Sequence, residues 1–385
     1  MHKPNSLFHA NENATTCSRL SPSLNPFAHD HSDGSSCSLP NSRKKKSKGK
    51  KRETLPRRPS RVRVRRSRIR LRRILPGAVY LLTKKTNDDY YFLRPDGSVD
   101  PILLYLLVLK LKSYGLLLHA FIVMSNHIHL VVTDVRGRLP DFMRDFLSES
   151  SKAIQLAHGM KRRVWSSTPY SATRLLDRDA AERLIAYCQT NPTKAGLTMP
   201  MDWPGLTSAH YKFGATITAR KPERFFGSHR PDVVECRLSP LLPLIGDPDF
   251  DPTTPSAPPA EDSDLYRRRC EQLQASVQQR VDRRVEELLH ERRKTGRRLA
   301  GREAVQVVPR ETRGQRPLRK LNPKFASRNP KLMEWAKASE KEFRISHEVA
   351  KQRYARGESR VLFPAGTYGY RELLQVRVRK AGVAA

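Results

Sequence analysis

Met124-Ser125-Asn126-His127-Ile128-His129-Leu130-Val131-Val132 sets two histidines one residue apart inside an apolar run. A strand has a period of two, so His127 and His129 face one way and Ile128 the other. Two imidazoles side by side on a rigid strand are half of a divalent-metal site. They are equally half of a packed core in which nearby carbonyls satisfy both rings. The residues by themselves leave both readings open.

Working outward, Leu116 to Met124 is a second apolar run, and Ser125-Asn126 between the two reads as a hairpin turn. Upstream, Ala78-Val79-Tyr80-Leu81-Leu82-Thr83 is a strand, and Pro95-Asp96-Gly97 is a turn. A helix capped by Asp100 starts at Pro101 and stops at Gly115. Downstream, Leu139 to His158 is helical, with Phe142, Phe146 and Ile154 near one face. A short strand spans Ala172 to Leu176. A last helix opens at Asp179, with Glu182 three residues on as a capping box, and runs to Pro192, which forbids continuation. The order strand, helix, strand, strand, helix, strand, helix is the split β-α-β pattern. It predicts an α+β, ferredoxin-like (RRM-like) antiparallel sheet over residues 76–214, with helices on one face and the other open to a substrate. Basic disordered or helical extensions flank it.

The remaining chain differs in character. The protein has 385 residues with 73 Lys+Arg against 38 Asp+Glu, a formal net charge of +35. A charge this large calls for a polyanionic partner. No apolar run approaches the roughly 18 residues needed to span a bilayer, so no membrane role is expected. Cys17, Cys37, Cys188, Cys236 and Cys270 are scattered, with no Cys-x-x-Cys pair, which argues for a reduced, cytoplasmic protein and against a cysteine zinc site. Residues 1–75 are expected to be a disordered region ending in a basic arm: Arg43 to Arg73 holds 18 basic residues against one acid, Glu53. Within it, Arg61, Arg63, Arg65 and Arg66 are candidate nucleic-acid contacts. Residues 215–264 are Pro-rich and read as a linker, and residues 265–385 as a basic, mainly helical extension. In that extension Leu265 to Arg298 is an exposed helix with sparse apolar positions Leu273, Val277 and Val281. Lys331 to Tyr354 is a second helix, and Val361 to Tyr368 a small structured element.

A metal needs more than two ligands, and the last helix offers more. Tyr187 and Asn191 are four apart and share a helical face. If that face packs over the His strand, the Asn191 amide oxygen becomes a third ligand and Tyr187 sits within reach of a bound phosphate. Pro192 pushes Asn191 toward the frayed end of the helix. Taken without the histidines, the plainer reading of Tyr187 as a rim tyrosine and Asn191 as a C-cap is the stronger one. A histidine-based nucleotide hydrolase would want a further His in register, and Val131 stands there.

Asn126-His127-Ile128-His129 resembles the Asn-His-x-His strand of the HUH single-tyrosine transposases, in particular the REP-associated tyrosine transposases. Tyr187-Cys188-Gln189-Thr190-Asn191-Pro192-Thr193-Lys194-Ala195-Gly196-Leu197 is similar to their Tyr-x-x-x-Asn-Pro-x-x-Ala-Gly-Leu helix end, and Trp203 to Tyr211 to the segment that follows it. The likeness covers residues 76–214. Ser125 and Gln189 stand where that family usually has Pro and His. The resemblance implies His127, His129 and Asn191 as ligands of Mg²⁺ or Mn²⁺ and Tyr187 as the nucleophile. It implies metal-dependent cleavage and transfer of single-stranded DNA with hairpin ends through a 5′-phosphotyrosine. Lys161, Arg162 and Arg163 would be backbone contacts. A cytoplasmic, nucleoid-associated monomer or homodimer is expected. The alternative is a catalytically inactive, domesticated nucleic-acid-binding protein.

Overall fold

Eight residues of alternating burial, Ala78–Lys85, form the central strand β1 of a five-stranded sheet. The structure, a computed structural model, describes residues 71–223, 226–245, 247–250, 258–314 and 323–380. The candidate contacts Arg61, Arg63, Arg65 and Arg66 lie outside them. Strand β2 is Leu116–Met124, β3 is His127–Asp134, β4 is Ser171–Leu175 and β7 is Phe325–Ala326. The sheet runs β2-β3-β1-β4-β7, antiparallel at every junction except the parallel β4–β7 pair at the end. The Ser125-Asn126 turn joins β2 to β3, as the sequence indicates. Helix α1, Asp100–Tyr114, carries Pro101 in its first turn and ends at Gly115. There a φ of 68° lets the backbone N–H reach the Leu111 carbonyl. Helix α2 is Leu139–Ala157 and packs against α1.

Helix α3, Arg178–Gln189, departs from expectation in two ways. Its N-cap is Asp177, not Asp179: Asp177 is extended (φ −141°, ψ 168°) and its carboxylate accepts the Ala180 N–H at 2.7 Å. Asp179, already in the first turn, pairs with Arg183 and Arg280 instead, and Glu182 is buried and bonded to Ser276 and Arg280. The helix also lies on the His127/His129 face of the sheet, against β2 and β3. The face expected to be open is therefore covered.

Part of the expected linker is structured as well. Thr216–Arg220 (β5) and Val233–Arg237 (β6) form an antiparallel hairpin against α1, with Ile217 and Leu238 completely buried in the main core. Alternation over only five residues in each strand, amid prolines, hid it. The segment also protects an edge: Ser239 N–H donates to the Leu118 carbonyl at 2.7 Å, while Val123 N–H donates to Leu206. Helix α5, Asp264–Lys294, was expected to be exposed. It packs against α3, and Tyr266, Cys270, Leu273, Val277, Val281 and Leu288 form a buried stripe along it. Spacings of four, three, four, four and seven are an amphipathic pattern diluted by charge on the outer face. Helix α7, Pro330–Ala355, is the second expected helix. It carries a satellite core of Ala350, Val361, Phe363 and Tyr370. Every described residue falls within one contact unit, Val64–Ala385. Among the described residues, no helix is long and apolar enough to cross a membrane.

If the hairpin is part of the core, Ile217→Ala leaves a cavity and should cost about 2–4 kcal/mol in denaturant unfolding. A change below about 0.5 kcal/mol is what a linker position would give.

Candidate active site

The β1–β3 register sets His129 opposite Thr83 and His127 opposite Lys85. His129 Nδ1 shares a 2.8 Å hydrogen bond with Thr83 Oγ1, and His127 Nδ1 donates to Asn126 Oδ1 at 2.7 Å. The two rings meet edge to face with centroids 4.8 Å apart. A third histidine makes a useful contrast. His119, at the bulge in β2, is wholly buried and bonded at both nitrogens, to the Ser239 carbonyl and to Thr133 Oγ1. That is a packed, satisfied core histidine. His127 and His129 commit Nδ1 to such partners, and the Asn191 side chain reaches His127 as well.

Tyr187, partly buried on α3, sets its ring edge to face with His129, centroids 5.3 Å apart. Thr190 ends α3 with its N–H and hydroxyl both donating to the Ala186 carbonyl, and a single further turn, Asn191–Lys194 (α4), follows at once. Asn191 is therefore the first residue of that turn and not the tail of α3, because the proline after it cannot continue the α3 ladder. It still falls beneath Tyr187. Its side chain is near enough to His127 and Tyr187 to favour the protonated imidazole and the ionised phenol. Its buried amide nitrogen completes no hydrogen bond.

Burial dominates the electrostatics. It pushes His127 down to about 4, helped by Lys85, and holds His129 well below the usual histidine range, helped by His127 and Lys194. Both rings are neutral at pH 7, with lone pairs to give. Burial raises the Tyr187 phenol, against the pull of Asn191. Above that phenol sits a residue the sequence reading passed over. Lys194 Nζ lies 4.7 Å from the Tyr187 ring centroid, and burial and Arg284 of α5 lower its own affinity for a proton. Its spacing, seven after Tyr187 and three after Asn191, could have flagged it as sharing their face. Thr83 could not have been found without the register. Among the described residues, no cluster of three His, Cys, Asp or Glu could hold a metal ion, so a cation here would draw on the Asn191 amide.

Lys161, Arg162 and Arg163 are exposed on the loop after α2. That loop joins the end of β1 through the Thr86–Trp165 bridge, and Thr86 N–H donates to the Asn126 carbonyl. Arg162 lies over Tyr90, 5.7 Å from its centroid, and the charge of Arg163 is felt at Lys84. The basic loop thus edges the turn that carries Asn126 and does not touch Tyr187.

The fold is an α+β sheet with a two-histidine, one-tyrosine constellation under a helix. No protein-family model matches the chain, and no curated protein does. Among solved structures, it is similar to a REP-associated tyrosine transposase bound to a REP hairpin, with 18% identity and a TM-score of 0.31, over 37% of this chain and 82% of that one. The likeness is distant.

The satisfied histidine provides a check on burial. His119 sits at about 4 in the fold against 6.5 ordinarily. Between those values the unfolded chain takes a proton that the fold refuses. Its contribution is therefore complete above pH 6.5 and lost as pH falls toward 4, by up to about 1.4 kcal/mol per unit. Asp100, raised to about 7 by burial, slopes the other way. Comparing unfolding free energies of the wild type and His119→Gln from pH 7 to 4.5 isolates the histidine. The variant's curve should be flatter by that amount.

Proposed function

We propose that the protein cleaves single-stranded DNA and transfers the strand, with Tyr187 as nucleophile and a divalent cation held by His127, His129 and Asn191. The observation that carries this reading is the convergence of the Tyr187 phenol, the buried Asn191 amide, whose side chain reaches both His127 and Tyr187, and two neutral imidazoles, each tied at Nδ1. Imidazoles tied in this way are the usual arrangement of metal-bound histidine. Two ring nitrogens and one amide oxygen fit a divalent ion of intermediate hardness, so Mn²⁺ should serve better than Mg²⁺ at limiting concentration. We read the sheet as ferredoxin-like, supported by the order β4-β1-β3-β2 with every neighbour antiparallel.

The cation would polarise the scissile phosphate and draw charge from its oxygens. The remaining steps belong to the chain's own groups. Tyr187 Oη gives up its proton and bonds to phosphorus, the bond from phosphorus to the 3′ oxygen breaks, and that oxygen takes a proton. The strand is left joined to Tyr187 through its 5′ phosphate. Lys194, over the ring, stabilises the phenolate that burial opposes. A 3′ hydroxyl attacking the phosphotyrosine reverses the exchange, one phosphate ester for another, so transfer needs no added energy source. Hairpin-ended single strands are the expected substrates, consistent with the charge of +35.

Incubation with Mn²⁺ and labelled hairpin-bearing single strands should yield a covalent adduct that survives denaturation. EDTA and Tyr187→Phe should each abolish it. Persistence of the adduct in Tyr187→Phe, or its absence from the wild type across varied sequences, would sink the proposal and leave a nucleic-acid-binding protein. Removing the Nδ1 partners, by Asn126→Ala or Thr83→Val, should weaken metal affinity about 10- to 100-fold while Tyr187 stays in place. Lys194→Met should slow adduct formation on the order of 10²-fold.

A further inference from the structure

On the other face of the sheet lies a second concentration of charge that the Tyr187 site does not use. Thr83 shares the His129 face through its hydrogen bond, so Tyr80, three residues earlier on β1, points to the opposite face. Arg174 pairs with Tyr80 across β1 and β4 and shares that face. Tyr80 and Arg174 line a cavity of about 170 Å³ together with Arg72, Arg73, Lys324, Arg344 and Glu340. Five cations face one carboxylate, and Glu340 already pairs with Lys324 and Arg344. Among the described residues, Arg72, Arg73 and Arg174 have no carboxylate partner.

Each of those three guanidiniums instead lies against an aromatic ring. Arg72 is 3.9 Å from the Tyr170 centroid, Arg73 is 5.3 Å from Phe343, and Arg174 is 5.9 Å from Trp335. Arg72 and Arg73 are further steadied by hydrogen bonds to the Tyr170 carbonyl and Ser339 Oγ. Arg73 Nε is buried with no hydrogen-bond partner. Burial makes the charges of Arg73 and Arg174 costly to keep, and Arg73 adds to that cost at Arg174, while Glu340 opposes it at both. Guanidiniums stacked on rings keep their in-plane N–H donors, the geometry that matches phosphate oxygens. With Glu340 the one carboxylate among five cations lining the pocket, positive charge remains in excess there.

We propose that this pocket binds a phosphate of a nucleic-acid strand and forms an anchoring site separate from Tyr187. Nucleic acid is favoured as the source because Arg72 and Arg73 are the last residues of the basic run from Arg43 to Arg73, and because the chain carries +35 overall. Three stretches distant in sequence build most of the pocket: the end of the basic run, strand β4, and the segment from Lys324 into α7. The site therefore depends on residues outside the 76–214 region.

The test uses the full chain in EDTA, so that its outcome is independent of any strand cleavage. Inorganic phosphate, compared with chloride at equal ionic strength, should raise the thermal midpoint of the wild type and not that of Arg174→Gln. Single-stranded oligonucleotide affinity, read by fluorescence anisotropy, should fall about tenfold in Arg174→Gln. The slope of log affinity against log salt should become shallower by about one unit. Arg72→Gln, outside the sheet, should show the same two changes and serves if Arg174→Gln fails to fold. Unaltered affinity and salt slope in the folded variants would overturn the assignment. So would a phosphate-induced rise that persists in them, or one accompanied by no loss of DNA affinity, which would mark a site for small phosphate esters.

Discussion

The pairing of Thr83 with His129 across β1 and β3 is the constraint on which the candidate site depends. It fixes the register, ties one imidazole by its Nδ1, and decides which side of the sheet carries both rings. A slip of one residue would send His127 and His129 to the opposite face and bring Ile128 and Leu130 under α3. Ile128, Leu130 and Val132, all within 1% of complete burial, pack on that opposite face. Hydrophobic packing on one face thus positions polar groups on the other. The bulge at His119 is accommodated one strand away, where both ring nitrogens find partners.

The second half of the site is held from outside. Tyr187 sits on a helix pressed between the sheet and α5, and that contact is fastened by the buried Glu182 with Ser276 and Arg280. Gly196 lies so close to Arg292 of α5 that a Cβ there would fall 2.4 Å from the guanidinium. Its carbonyl accepts the Ala300 N–H. The C-terminal half of the chain therefore supports the helix end from which Tyr187, Asn191 and Lys194 project. Leaving a buried Glu182 without Ser276 or Arg280 would loosen α3 itself, because an unpaired buried carboxylate is among the costliest defects a fold can carry.

How much of this is legible in the sequence depends on the range of the interactions. Strong alternation and clear punctuation reveal the strands and helices from Ala78 to Gln189, and the hairpin at Ser125-Asn126 is readable from two adjacent runs. His127, His129, Tyr187 and Asn191 announce themselves by spacing, and the structure brings them together. What stayed hidden rests on contacts between distant residues. Asp177 outcompetes Asp179 as the cap because Arg280, a hundred residues on, engages Asp179. The β5–β6 hairpin has strands too short to stand out among prolines. The apolar stripe of α5 is masked by arginines on its outer face. Thr83 acquires meaning only through register, and Lys194 only through the ring beneath it.

Charge links the two faces of the sheet. On one, Lys194 lies over Tyr187 with Arg284 raising the cost of its charge; on the other, Arg73 does the same to Arg174. Folding brings these like charges together against their mutual repulsion, and the apolar core must offset that repulsion in the free protein. A structural role would have been served more cheaply by pairing them with carboxylates, as Arg178 is with Asp247 and Arg280 with Glu182. Among the described residues such pairs fasten α3 to its neighbours, and none is seen at Lys194, Arg73 or Arg174. Guanidinium and ammonium groups placed on aromatic rings in this way keep N–H donors that an anion could accept, which is what both proposals require. If both proposals hold, the first phosphate to arrive at either face would relieve that repulsion, and both sites would weaken steeply with salt.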